Sequence, residues 1–310
     1  MISKRNFFIY IGLLITGLNA QGGICGLSIA ASNLVVAWDM TWTTQSVSIT
    51  VDKTNPAACT FGLGFSKGTS GSYTRYATVL GKQINYQLYQ DSGKTKILKD
   101  APDTATVNDV IMVTLPPGSS PQVVQYFFDI PYALATTPFL VANGAYLDNF
   151  TINAYEGTDP SLFPILPDAT AAVNLTVNVD PMVSISLVDP GGGFLTTATT
   201  KAIDFGNLFQ GQISRFDMLL RTNAGLTVKM VSSNASRLKH LSKNSYVPYT
   251  VTVNNVAADL TGVVPVLTAS GQTNMMGLGY PVKLIVGAIT ASSLAGSYQD
   301  TVTITAETTE

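Results

Sequence analysis

The chain has 310 residues, 46% hydrophobic and only 12% charged, so it can bury sizeable cores and is not a disordered polyelectrolyte. Its formal charge of -2, from 17 basic and 19 acidic residues, supplies no electrostatic footprint for nucleic acid or an anionic membrane, and nucleic acid is excluded as an expected partner. Thr, Val, Ser, Gly, Asn and Tyr abound while helix-favouring charged residues are scarce, which predicts an all-β protein whose length suits two domains.

At the start, Lys4 and Arg5 precede an apolar run from Phe7 to Leu18 and the small-residue site Leu18-Asn19-Ala20. This order predicts a signal peptide over residues 1–20 and a mature chain from Gln21, because the run is too short to span about 30 Å of hydrocarbon comfortably. Export bears on Cys25 and Cys59, the only cysteines, since an oxidising compartment lets one pair close a loop. The alternative, a reactive thiol, lacks a neighbouring histidine or basic cluster to activate it.

Period-two alternation then predicts strands at Val47–Val51, Ile84–Tyr89, Phe150–Ala154, Val173–Val179, Leu226–Met230, Tyr249–Val253, Val282–Val286 and Val302–Ile304. Turn signals such as Asn55-Pro56, Ser92-Gly93, Pro116-Pro117-Gly118 and Ala295-Gly296 separate them. Trp38, Met40 and Trp42 share one strand face, which suits a core. Pro190 with Gly191 to Gly193 predicts a bend early in a second domain, and the boundary is placed near Pro181.

The most informative feature is internal. Gly144-Ala145-Tyr146-Leu147-Asp148-Asn149-Phe150-Thr151-Ile152 recurs as Gly296-Ser297-Tyr298-Gln299-Asp300-Thr301-Val302-Thr303-Ile304, and Ile84-Asn85-Tyr86 has an echo in Val247-Pro248-Tyr249. The expected architecture is two tandem immunoglobulin-like β-sandwich domains, residues 21–180 and 181–310. After its Gly-x-Tyr-x-Asp strand the first copy continues into an alternating strand through Val173, Leu175, Val177 and Val179. After its own the second copy has no such continuation, so it is expected to lack its last strand and to expose a groove edged by Tyr298, Val302 and Ile304. A strand from another chain would complete it by β-strand addition.

These residues resemble the spore coat protein U domain found in subunits of archaic chaperone-usher pili. The first domain is similar to the tip-adhesin version through Ala37-Trp38-Asp39, Ala58-Cys59-Thr60-Phe61-Gly62-Leu63-Gly64-Phe65-Ser66, Tyr86-Gln87-Leu88-Tyr89-Gln90-Asp91 and the Gly144-x-Tyr146-x-Asp148 element. The second resembles the pilin half through Ile185-Ser186-Leu187-Val188, Asp204-Phe205-Gly206-Asn207-Leu208, Arg221-Thr222-Asn223, Ser232-Ser233-Asn234 and Gly296 to Thr305. The resemblance implies a pilus tip adhesin that mediates cell attachment and biofilm formation. It further implies a periplasmic pilus chaperone, an outer-membrane usher and an adjacent pilin subunit that donates a strand. The expected location is extracellular, at the pilus tip, after export through the periplasm, with an abiotic or host surface as the target.

Composition nominates the adhesive residues as Tyr132, Leu134, Phe139 and Leu140 before Gly144, and Leu162, Phe163, Ile165 and Leu166 between Pro160 and Pro167. An apolar loop patch left exposed marks an interaction site. Packing beneath their own loops or at the domain junction is the alternative. For catalysis there is little: His240, the sole histidine, lies beside Lys239 in a polar stretch that suits a surface or structural role, and no phosphate loop, nucleophile elbow or metal-spaced Cys/His set occurs. No enzyme activity, cofactor, catalytic residue or metal is expected. Two other readings stay open: a self-assembling structural coat or matrix protein without a specific adhesive role, and a secreted carbohydrate-binding module using the tyrosines and tryptophans as stacking faces.

Overall fold

The computed structural model describes residues 24–38, 43–118, 121–131, 141–274 and 276–309. The expected signal peptide, together with Met40 and Trp42, lies outside them. Strands dominate, and the chain forms two tandem β-sandwich domains with separate hydrophobic cores.

The strands of the first domain are β1 (Leu27–Ala30), β2 (Leu34–Trp38), β3 (Thr43–Lys53), β4 (Cys59–Phe65), β5 (Arg75–Val79), β6 (Lys82–Tyr89), β7 (Ile111–Leu115), β8 (Gln122–Ile130), β9 (Gly144–Glu156) and β10 (Ala169–Val179). Their order is β1-β3-β8-β6-β5-β9-β10-β2, with β4 pairing both β7 and β9. Alternation drives this arrangement: along β10 every second residue from Val173 to Val179 is at most 3% exposed while Asn174 faces solvent. The core gathers Trp38, Phe61, Phe65, Tyr86, Tyr126 and Phe150, all essentially buried.

The second domain comprises β11 (Val183–Val188), β12 (Ile213–Thr222), β13 (Gly225–Ser232), β14 (Arg237–His240), β15 (Tyr246–Val253), β16 (Val256–Ala257), β17 (Leu267–Ala269), β18 (Leu278–Val286), β19 (Tyr298–Gln299) and β20 (Val302–Thr309). Its order β11-β12-β18-β15-β14-β19 repeats β1-β3-β8-β6-β5-β9, and its smaller sheet β17-β13-β20 repeats β7-β4-β9. The duplication read from a nine-residue echo therefore extends over eight strands of the first domain, β10 and β2 being the ones without a counterpart among the described residues. β9 corresponds to β19 and β20 together: Leu147 pairs with Thr78 as Gln299 pairs with Lys239, and Ile152 pairs with Phe65 as Ile304 pairs with Met230.

The predicted strands all fall within observed ones, which run longer because their outward-facing Thr, Asn and Gln break no ladder. The expected bend at Pro190 follows directly on β11. Between Val179 and Val183 three residues, Asp180 to Met182, connect the two sets of sheets.

Candidate functional site

The two domains differ along one edge. In the first, β10 pairs antiparallel with the whole of β9, from Ala169 opposite Ala154 to Val179 opposite Gly144. Its other edge pairs in parallel with β2, Leu175 to Val179 against Leu34 to Trp38. In the second domain β20 pairs with β13 on one edge, and among the described residues no strand pairs the other. A cleft of about 1090 Å³ opens there, between residues 199–208 on one side and 293–304 on the other. Ile185, Leu187, Ile203, Leu238, Val251 and Leu284 contribute to its apolar lining.

The consequence appears in the burial of matching residues. Phe150, Ile152 and Ala154 are 2%, 0% and 0% exposed, whereas their counterparts Val302, Ile304 and Ala306 are only half-buried. Side-chain alternation is the same in both strands; what differs is the covering strand. An apolar cleft bordered by unpaired main-chain groups costs free energy in water, and both deficits are of the kind a further strand removes. The residues expected at the groove edge, Tyr298, Val302 and Ile304, all line the cleft. Tyr298 lies at its end, where its hydroxyl donates to Leu294 O at 2.6 Å and lies 2.9 Å from Ser245 Oγ, and its ring meets His240 edge-on.

The echoed tyrosines and aspartates form one device, built twice. Tyr86 donates its hydroxyl to Asp148 Oδ2 at 2.6 Å, and Tyr249 donates to Asp300 Oδ2 at 2.5 Å. Asp148 also accepts from Thr69 N and Thr69 Oγ1, while Asp300 accepts from Ser232, Ser233 and Asn234. Each carboxylate ties the Gly-x-Tyr-x-Asp strand to the turn that follows the neighbouring strand. Burial raises the Tyr249 phenol pKa, and the Asp300 carboxylate adds to that rise. For Asp300, burial pushes the pKa upward, but the hydrogen bonds from Ser232, Tyr249 and Ser233 outweigh it and hold the group below its ordinary value.

At the far end of the first domain, Leu162, Ile165 and Leu166 are 78%, 78% and 76% exposed. They belong to the segment between β9 and β10, and because Gly144 and Val179 pair at the linker end, this segment lies at the end remote from the second domain. A 3-10 turn over Pro160–Leu162 shapes it, capped by Asp159, whose carboxylate accepts from Ser161 N. Phe163 turns inward: its ring stacks on Tyr155 at 5.5 Å and crosses so close to Gly62 that a Cβ there would lie 2.4 Å from it. Phe163 thus anchors the segment while its apolar neighbours face water. Tyr132, Leu134, Phe139 and Leu140 lie outside the described residues.

Cys25 and Cys59 are disulfide-bonded, with Cα atoms 5.9 Å apart, and the Cys25 N–H donates to the Glu156 carboxylate. The sulfurs are consumed by the bond, so this Cys-Cys-Glu grouping offers no thiolate to a metal. His240 is 6% exposed, which decides between the two expected roles in favour of the structural one over the surface one. Its Nδ1 accepts from Ser242 N at 3.1 Å and its Nε2 faces Ala295 O at 3.1 Å, so both nitrogens serve the backbone. Sequence reasoning missed Arg75, which is wholly buried. Its guanidinium donates to Ser66 O, Gln87 Oε1, Phe65 O and Leu98 O at 2.6–3.0 Å. Its position on an otherwise alternating strand gave the only available signal.

The fold and this edge define a duplicated β-sandwich protein in which, among the described residues, the strand that covers this edge in the first copy has no counterpart in the second. Residues 26–153 match the family described as Spore Coat Protein U domain. The chain is also similar to a chain of the CsuC-CsuE chaperone-tip adhesion subunit pre-assembly complex from archaic chaperone-usher Csu pili of Acinetobacter baumannii. That match has 14% identity and a TM-score of 0.48, covering 91% of this chain and 99% of that one. Similarity to the CupB6 tip adhesin of Pseudomonas aeruginosa has 12% identity and a TM-score of 0.43, over 91% of this chain and 93% of that one. CfaE, the adhesive subunit of CFA/I fimbria of enterotoxigenic Escherichia coli, matches with 13% identity and a TM-score of 0.41 over 91% and 93%. No curated protein matches the chain.

Proposed function

We propose that this chain is the adhesive subunit at the tip of a chaperone-usher pilus, serving attachment and biofilm formation rather than catalysis. Residues 1–20 direct export and are removed, residues 21–180 form a self-complete adhesive domain, and residues 181–310 form a pilin domain that another subunit completes. The observation that carries this reading is the edge of β20: the slot that β10 fills in the first domain stands open in the second, lined by apolar side chains. A periplasmic chaperone would cover that slot first, an outer-membrane usher would pass the subunit outward, and the adjacent pilin would supply the final strand. The match of residues 26–153 to the Spore Coat Protein U domain family supports membership of such an assembly.

Adhesion is assigned to the apolar end of the first domain. Leu162, Ile165 and Leu166 project there from a segment anchored by Phe163, and burying such a patch against an apolar surface gains about 25 cal/mol per Å² before the costs of association. The test is the triple variant Leu162→Ser, Ile165→Ser, Leu166→Ser. Cells displaying it should lose attachment to hydrophobic plastic by about tenfold, while thermal unfolding of the purified protein stays unchanged because exposed residues contribute little to stability. Undiminished attachment by the variant would remove this segment from the adhesive surface.

A further inference from the structure

The connection between the domains is three residues long, and its hydrogen bonds converge on one side chain. Asn223, in the turn between β12 and β13, is 1% exposed. Its Nδ2 donates to Asp180 O at 3.0 Å, and its Oδ1 accepts from Met182 N at 2.6 Å. Its own backbone N–H donates to Met182 O at 3.2 Å, and its carbonyl accepts from Asn143 N at 3.0 Å. Asn143 directly precedes β9, so one residue of the second domain holds both the linker and the first domain. Thr222 adds a bond from its hydroxyl to Met182 O at 2.8 Å. Pro181, the remaining linker residue, has no N–H to satisfy and a fixed φ.

We propose that Asn223 is a junction clamp that fixes the first domain in one orientation on the second, so that the two move as a single rigid body. The default for two sandwiches joined by a short connection is relative motion, unless the interface is large and apolar. Here a cleft of about 910 Å³ separates the hairpin tip at Leu80 from the turn at Gly271, so broad apolar contact does not lock the junction at that side. The polar clamp does, because the Asn223 side chain at its centre is itself buried and its amide donates to Asp180 O with one end while accepting from Met182 N with the other. A load applied to the remote end of the first domain is then passed directly to the second instead of being absorbed by rotation at the linker. This inference does not depend on the adhesive reading.

The test is a distance distribution by electron-electron resonance on the full mature chain, with spin-labelled unnatural residues at the exposed positions Val123 and Val256, which leaves the disulfide intact. The wild-type protein should give one narrow distribution. Asn223→Ala should broaden it at least twofold, and Asn223→Asp, which keeps the acceptor but loses the donor, should give an intermediate width. A broad distribution in the wild type overturns the proposal, and so does an unchanged width in Asn223→Ala. Should Asn223→Ala fail to fold, the wild-type width and the Asn223→Asp variant decide.

Discussion

Tyr86 and Tyr249 each hand a proton-donating bond to a carboxylate that the sequence repeats, and these pairs make the duplication chemical as well as topological. Asp300 has the clearer pH consequence. Its folded pKa lies below the ordinary carboxylate value, so the unfolded chain takes up the proton first. Its contribution is therefore complete above about pH 4 and disappears as the pH falls through the lower, folded value. Unfolding of the second domain, followed from pH 7 downward, should lose stability in that acid range, and Asp300→Asn should start less stable and show a smaller acid-dependent loss. An identical acid profile in the variant would separate Asp300 from the effect. Asp100 has the opposite sign, since burial raises it despite bonds from Tyr155 and Asn153, and it cannot account for an acid loss. Arg75 is structural in another way. Burial lowers its pKa, and its bonds hold the end of β4 to β5 and β6. Arg75→Ala leaves three carbonyls, two of them in buried bonds, without this donor and should destabilise the first domain by about 3 kcal/mol or more, measured by denaturant unfolding.

At the level of strands, the pattern of alternation carried most of the information, because a period of two survives whatever partner the strand finds. It located β10 and β20 and pointed to the edge that is covered in the first copy and, among the described residues, unpaired in the second. It could not reveal that residues 199–208 border the cleft, since that segment pairs with no strand and has no periodic signature. Likewise Phe163 and Leu162 are adjacent apolar residues with opposite fates, decided by the glycine at position 62 that makes room for one ring. The correspondence of β9 with β19 and β20 also specifies what a completing strand must look like. In the first domain Val173, Leu175, Val177 and Val179 stand opposite Phe150, Asp148, Tyr146 and Gly144, whereas the small Ala171 and Ala169 oppose Ile152 and Ala154. A guest antiparallel to β20 should thus place branched aliphatics opposite Val302, Asp300, Tyr298 and Gly296, and small residues opposite Ile304 and Ala306. A peptide of residues 169–179 should bind the second domain, and replacing both alanines at its small positions by Phe should weaken it at least tenfold in a titration. Equal binding by the two peptides would reject this register, while binding by neither would count against an open slot.

On the scale of the molecule, one chain contains the same sandwich in two thermodynamic conditions. The first has its apolar strand in place, and its disulfide closes a separation of 34 residues, which stabilises by about 3–4 kcal/mol through the unfolded state. The second has no cysteine, and a row of half-buried residues along β20 leaves part of its core facing the cleft. Domains of this size are stable by only about 5–15 kcal/mol, so an uncovered row of that kind is a large fraction of the total. Exported separately, residues 21–180 should be soluble and unfold in one cooperative transition without a partner. Residues 181–310 should aggregate, or melt at a distinctly lower temperature, and recover when a completing strand is fused to their end. The comparison is made by soluble yield and calorimetry under one buffer. A second domain that is monomeric and as stable as the first would mean that its cleft is an ordinary surface feature, and a free-standing binding protein would then replace a subunit awaiting its neighbour.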